Sequence, residues 1–192
     1  VHPALPLEPA QPTAFFRGFG FRWSPIAGGW DVKRKLSDTL LLDVILRAEG
    51  DRPTVSDFYA IKSEAGGGKS VLLRRLAWES AQGGLLVLML RDHGRLSFEP
   101  VRELARLTGK RIFVFVDNAA DHVWELRSFL ESARKAALPV TTITAERLNT
   151  WNGECEGLED YLSDEFRLRY MSRPEISELV TILEKFHSLG KH

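Results

Sequence analysis

The chain has 192 residues, its 26 Lys and Arg are matched by 26 Asp and Glu, and 44% of it is apolar. That length suits one globular domain with a real core, and the balanced charge supplies no net field to favour nucleic acid, a membrane surface or an acidic partner. Cys155 is the only cysteine, which excludes an internal disulfide and a cysteine-rich metal site and fits a reducing, cytoplasmic setting.

No apolar run approaches the roughly 20 residues needed to span a bilayer, and the start Val1-His2-Pro3-Ala4 lacks the basic and apolar regions of a signal peptide. The absence of an initiator Met suggests a piece of a longer protein, with flanking domains outside it. Four prolines between Val1 and Thr13 read as an extended linker, taken as residues 1–14. Residues 15–55 form a second region. Its aromatic and glycine-rich part, Phe15 to Trp30, precedes a predicted helix over 31–48 with Val32, Leu36, Leu40, Val44 and Leu46 at near-helical spacing. The segment Glu49-Gly50-Asp51-Arg52-Pro53 punctuates its end.

Residues 56–192 alternate strands and helices. Strands are predicted at 58–62, 85–90, 112–116, 140–145 and 166–171, and helices at 69–82, 99–107, 121–137 and 174–189. Five short strands separated mainly by helices argue for an α/β fold, a parallel sheet covered on both faces.

The chemistry concentrates in Ser63-Glu64-Ala65-Gly66-Gly67-Gly68-Lys69-Ser70. The phosphate-loop pattern is G-x-x-x-x-G-K-[ST], and only its first glycine is replaced, by Ser63. Glycines let the backbone approach phosphates, a lysine reaches their outer oxygens, and a hydroxyl ligates magnesium. The loop follows a strand and opens the helix carrying Val71, Leu72, Leu73 and Leu76, whose N-terminus favours an anion. Glu64, Ala65, Gly66, Gly67, Gly68, Lys69, Ser70 and Val71 are therefore the expected nucleotide-binding residues.

Ile112-Phe113-Val114-Phe115-Val116-Asp117 is an apolar strand ending in a carboxylate, which places Asp117 at the carboxyl edge of the sheet, where open α/β folds bind ligands. There Asp117 can hold Mg2+ through water, beside Ser70. Asn118 stands where many ATPases carry a second acid, and an amide cannot accept a proton. Asp121 and Glu146 are the alternatives by spacing, with Asp121 also readable as a helix N-cap. Arg147, after the strand at 140–145, suits either a γ-phosphate contact or a surface ion pair with Glu146. Five tryptophans without a basic patch read as core or interface, the histidines show no ligand spacing, and Cys155 reads as a polar-loop cysteine. No guanine-reading Asn-Lys-x-Asp motif is present, which favours ATP.

These motifs, with Leu72-Leu73-Arg74-Arg75-Leu76-Ala77, Ile143-Thr144-Ala145-Glu146-Arg147 and Leu168-Arg169-Tyr170-Met171-Ser172-Arg173-Pro174-Glu175-Ile176, resemble the STAND class of signal-transduction NTPases, with its AAA+/ASCE-like core. The resemblance implies a three-layer P-loop fold with sheet order 5-1-4-3-2, an ATP/ADP-dependent switch and a possible nucleotide-dependent homo-oligomer. It makes Arg147 a γ-phosphate sensor, with Lys69 and Asp117 completing the catalytic set. Gly29-Trp30-Asp31-Val32-Lys33-Arg34-Lys35-Leu36 resembles the family segment that flanks the adenine, and 174–189 the start of a helical lid. Effector and sensor domains would lie outside this chain. A slow ATPase, a nucleotide-binding module without hydrolysis and a small-molecule kinase all remain open on the residues alone.

Overall fold

The computed structural model describes residues 1, 2, 4, 6–19, 23–48 and 55–188. The expected punctuation at 49–53 and the end of the last helix at 189 lie outside them. Strands β1 (Asp57–Ser63), β2 (Leu86–Met89), β3 (Ile112–Asp117), β4 (Val140–Arg147) and β5 (Asp164–Leu168) form one parallel sheet in the order β2-β3-β4-β1-β5. This is the expected order, read from the other edge.

The central strands are apolar because both faces are covered. Successive β3 side chains alternate between faces. Ile112, Val114 and Val116 join Phe58, Leu126, Phe129 and Trp151 in one core, while Phe113 and Phe115 join Ile61, Leu72, Leu76 and Ile143 in the other. β4 carries three buried threonines. Thr144 Oγ1 donates to the Val116 carbonyl at 2.8 Å, and Thr141 Oγ1 accepts from Arg111 at 2.9 Å, so branched polar residues fit the strand without two of these hydroxyls being stranded.

The helices are α1 (Pro12–Phe16), α2 (Trp23–Ala27), α3 (Lys35–Leu40), α4 (Lys69–Gln82), α5 (Phe98–Thr108), α6 (Val123–Lys135), α7 (Leu148–Glu154) and α8 (Arg173–Lys185). α1 runs across the boundary expected at residue 14. α4 matches its predicted span and buries Leu72, Leu73, Leu76 and Ala77 against the sheet. α6 presents Leu126, Phe129, Leu130 and Ala133, the spacing of one helical stripe.

Several elements depart from expectation. The helix predicted over 31–48 begins only at Lys35, because Arg34 is extended (φ −72, ψ 140), and it widens into a π-helical stretch at Leu41–Leu46. The wider turn rotates the buried face. Val44 and Ile45 are buried, whereas Leu46 is exposed. The helix predicted from 121 starts at Val123, after a 3-10 turn at Ala119–His122. β5 begins and ends earlier than predicted, pairing Tyr59 with Asp164 through Ser63 with Leu168.

The stretch read as a polar loop around Cys155 contains α7 and a 3-10 helix at Glu156–Tyr161. Trp151, Cys155 and Leu158 are fully buried there. Burial first, then the Glu146 and Glu154 carboxylates, push the Cys155 thiol up to about 12. It is a packing residue rather than an exposed thiol.

Candidate nucleotide-binding site

Parallel pairing brings the predicted residues together at one edge of the sheet. Ser63 is in register with Arg147 of β4, and Asp117 of β3 with Ala145 of the same strand. The loop after β1, the acid ending β3 and the arginine ending β4 therefore share the carboxyl edge.

Within the loop, Gly66 and Gly68 adopt φ of 72° and 85°, a backbone region that side chains disfavour, and Gly68 leads into α4. A Cβ on Gly67 would lie 2.7 Å from Ser63 Oγ. Ser63 thus fills the space beneath the loop, its hydroxyl donating to the Glu64 carbonyl at 2.9 Å. Lys69 is 8% exposed and, among the described residues, makes no hydrogen bond or ion pair. Arg147 is exposed and likewise unpaired among them. A nearly buried cation without a counter-charge is unfavourable, and an anion seated at the helix N-terminus relieves it.

Gly66, Gly68, Lys69 and Arg147 line a cavity of about 440 Å³, and Asp117 is not among its lining residues. Its polar lining includes Gly66, Gly68, Lys69, Ser70, Asn118 and Arg147, and its apolar lining includes Phe15, Phe16, Trp30, Val32, Met171 and Leu179. Val71 also lines it. Glu64 and Gly67 instead border a separate recess with Arg167, Arg169 and Tyr170, and Glu64 pairs with Arg167 at 3.3 Å. Ala65 borders neither. The aromatic wall is interlocked: the Phe15 and Trp30 rings are 6.2 Å apart, and Phe186, just past α8, lies 5.2 Å from Trp30 and 6.1 Å from Phe16.

Asp117 is mostly buried. Its Oδ1 accepts the Asn118 N–H at 3.1 Å, and its Oδ2 pairs with Arg74 at 3.4 Å. The same Arg74 nitrogen is 3.5 Å from the Ser70 carbonyl, so Arg74 bridges the β3 acid to the first turn of α4. Among the described residues no group of three or more His, Cys, Asp or Glu is placed to hold a metal ion. A hydroxyl, one carboxylate and phosphate oxygens with water are a donor set that suits magnesium, which keeps most of its water and needs no all-protein cage.

Both alternatives for a base are placed unfavourably. Glu146 is buried with its oxygens accepting from Ala120 N–H at 3.0 Å and Arg147 N–H at 2.6 Å. Asp121 is exposed and outside the cavity lining.

Sequence reasoning gave Arg34 no definite role. It is 7% exposed and donates to the Gly67 carbonyl at 3.1 Å, the Arg169 carbonyl at 2.6 Å and the Glu175 carboxylate at 3.1 Å. One guanidinium thereby joins the phosphate loop, the exit of β5 and α8. Glu175 also accepts from Ser172 and from the Lys35 N–H. Its partial burial raises the pKa, but these hydrogen bonds outweigh that and hold it at about 2. Asp31, at the cavity, forms a two-pronged pair with Arg75 of α4. No local signal announces these contacts: the Arg34 partners lie 33, 135 and 141 residues away.

A parallel sheet in this order, with a glycine loop between β1 and α4 and an acid ending β3, defines an NTPase-type domain of the P-loop kind. The chain belongs to the family described as Novel STAND NTPase 5, whose model matches residues 13–159. No curated protein sequence matches it. Among solved structures it is similar to that of C. elegans PCH-2, with a TM-score of 0.55 and 15% identity. The match covers 83% of this chain and 52% of that one, so the chain spans about half the length of PCH-2, and the likeness is one of fold. No helix among the described residues is long and apolar enough to cross a membrane.

Proposed function

We propose that this domain binds ATP with Mg2+ and hydrolyses it slowly, as the regulatory switch of a larger signalling or defence protein. The observation that carries the reading is Lys69: a nearly buried cation without a partner among the described residues, beside an open glycine loop and an unpaired Arg147 on one cavity. Lys69 and the loop backbone at Gly66 and from Gly68 to Val71 hold the phosphates. Ser70 would ligate magnesium directly, Asp117, paired with Arg74 behind the cavity lining, would reach it through water, and Arg147 contacts the γ-phosphate. Phe15, Phe16 and Trp30 supply flat apolar surface for the base. Magnesium held there would supply charge neutralisation for the phosphates. The protein's own contribution to catalysis is positional and electrostatic.

A second reading, binding without turnover, is favoured by the environment of the attacking water. Asn118 cannot take its proton, Glu146 has both oxygens engaged, and Asp121 stands outside the cavity. Phosphate release under single-turnover conditions separates the two. Slow release that disappears in Arg147→Ala is expected; bound ATP recovered intact would establish the second reading. Sedimentation of the same samples, with the flanking domains present, is expected to differ between ATP and ADP. Identical assembly states in both would remove the switch.

A further inference from the structure

Glu146 is a buried carboxylate that the proposed chemistry leaves without a role. It lies at the end of β4, 4% exposed, and no cationic side chain hydrogen-bonds to it among the described residues. Its two oxygens accept two backbone N–H groups from different segments, Ala120 at 3.0 Å and Arg147 at 2.6 Å. A carboxylate is the side chain that meets two converging N–H donors with acceptors only.

The identity of those segments gives the contact its consequence. Ala120 belongs to the turn that follows β3 and begins at Asn118, which holds a left-handed conformation (φ 51) and whose carbonyl accepts Asp121 N–H at 3.1 Å. Arg147 carries the unpaired guanidinium at the same cavity. Asn118 and Arg147 both line it, so Glu146 ties together, from beneath, two segments that face the ligand from neighbouring strands.

We propose that Glu146 is a positioning residue that fixes the spacing of Asn118 and Arg147 and thereby sets the preference of the site for a nucleoside triphosphate over a diphosphate. The proposal rests on the assignment of Arg147 to the γ-phosphate. Substitution by glutamine keeps the size and one acceptor, but turns an NH2 donor toward an N–H.

The test measures the affinities of Mg-ATP and Mg-ADP for the wild type, Glu146→Gln and Lys69→Ala. Loss of one well-made buried hydrogen bond corresponds to a change of about tenfold. The expected result is ATP affinity about tenfold weaker in Glu146→Gln, with ADP affinity nearly unchanged. A parallel loss for both nucleotides would show a merely structural role and overturn the proposal, as would an unchanged ATP-to-ADP ratio. Wild type binding neither nucleotide, or Lys69→Ala binding as well as wild type, would instead overturn the reading of the site itself and Glu146 with it. Should Glu146→Gln fail to fold, hydrogen exchange of the unaltered protein decides: amides 120 and 147 are expected to be slower with a non-hydrolysable ATP analogue than with ADP. Equal protection in the two states would reject the role.

Discussion

At Gly67 the reason for a glycine is a neighbour rather than a backbone angle. An added Cβ would meet Ser63 Oγ at 2.7 Å and the Glu64 carbonyl at 3.2 Å, so the loop would have to shift. Gly67→Ala is therefore expected to destabilise the fold by about 1–3 kcal/mol, the usual cost of overpacking, and to weaken nucleotide binding. Thermal unfolding and titration measure the two effects. Ser63→Gly in the same chain removes the nearest clash and is expected to recover part of both losses, a non-additivity read from the double-mutant cycle. Purely additive losses would deny that Ser63 sets the loop. At this scale the loop and Asp117 were legible because their chemistry is written in adjacent letters. Arg34 was not, since all its partners are distant in the chain, and spacing, which offered Glu146 as one of two possible bases, reveals nothing of the two N–H groups that its oxygens accept.

Among the elements, α8 has no buried residues of its own. Its attachment rests on the Phe186 contacts with Phe16 and Trp30 and on Glu175 within the Arg34 cluster. The Glu175 carboxyl falls from its ordinary 4.5 to about 2 in the folded chain. A depressed pKa means that the unfolded chain takes up the proton first, so the stabilisation is complete above about 4.5 and is lost as the pH falls through about 2. Tryptophan fluorescence is expected to report loosening of α8 across that window, with Glu175→Gln already loosened at neutral pH and lacking this step. The same acid profile in both proteins would place the anchor elsewhere. The strands were legible as short apolar runs and α4 as a stripe behind the loop. α7 was missed because its sequence is mostly polar, although Trp151, Cys155 and Leu158 keep helical spacing and are all buried. The π-helical stretch that follows α3 had no signal in hydrophobic spacing, which reads much the same for either winding.

Over the whole molecule, the parallel sheet and its two-sided core follow from strand–helix alternation, the order of its strands is the one the family resemblance implied, and the position of the phosphate loop after the first strand fixes which edge carries the site. What alternation cannot convey is the joining of segments far apart in the chain beside the cavity: Phe16 of α1 and Trp30 meet Phe186 across more than half of the sequence. The cavity is lined by the N-terminal segment, the sheet edge and α8 together, so under the proposed function a nucleotide filling it would have a physical means of altering how they pack. Calorimetric titration of Mg-ATP into the protein beside its Lys69→Ala variant tests the central claim most directly. Binding by the wild type and its loss in the variant, with the fold of both intact by circular dichroism, is the expected result. Equal binding by the two, or none by the wild type, would contradict the assignment of this cavity to a nucleotide.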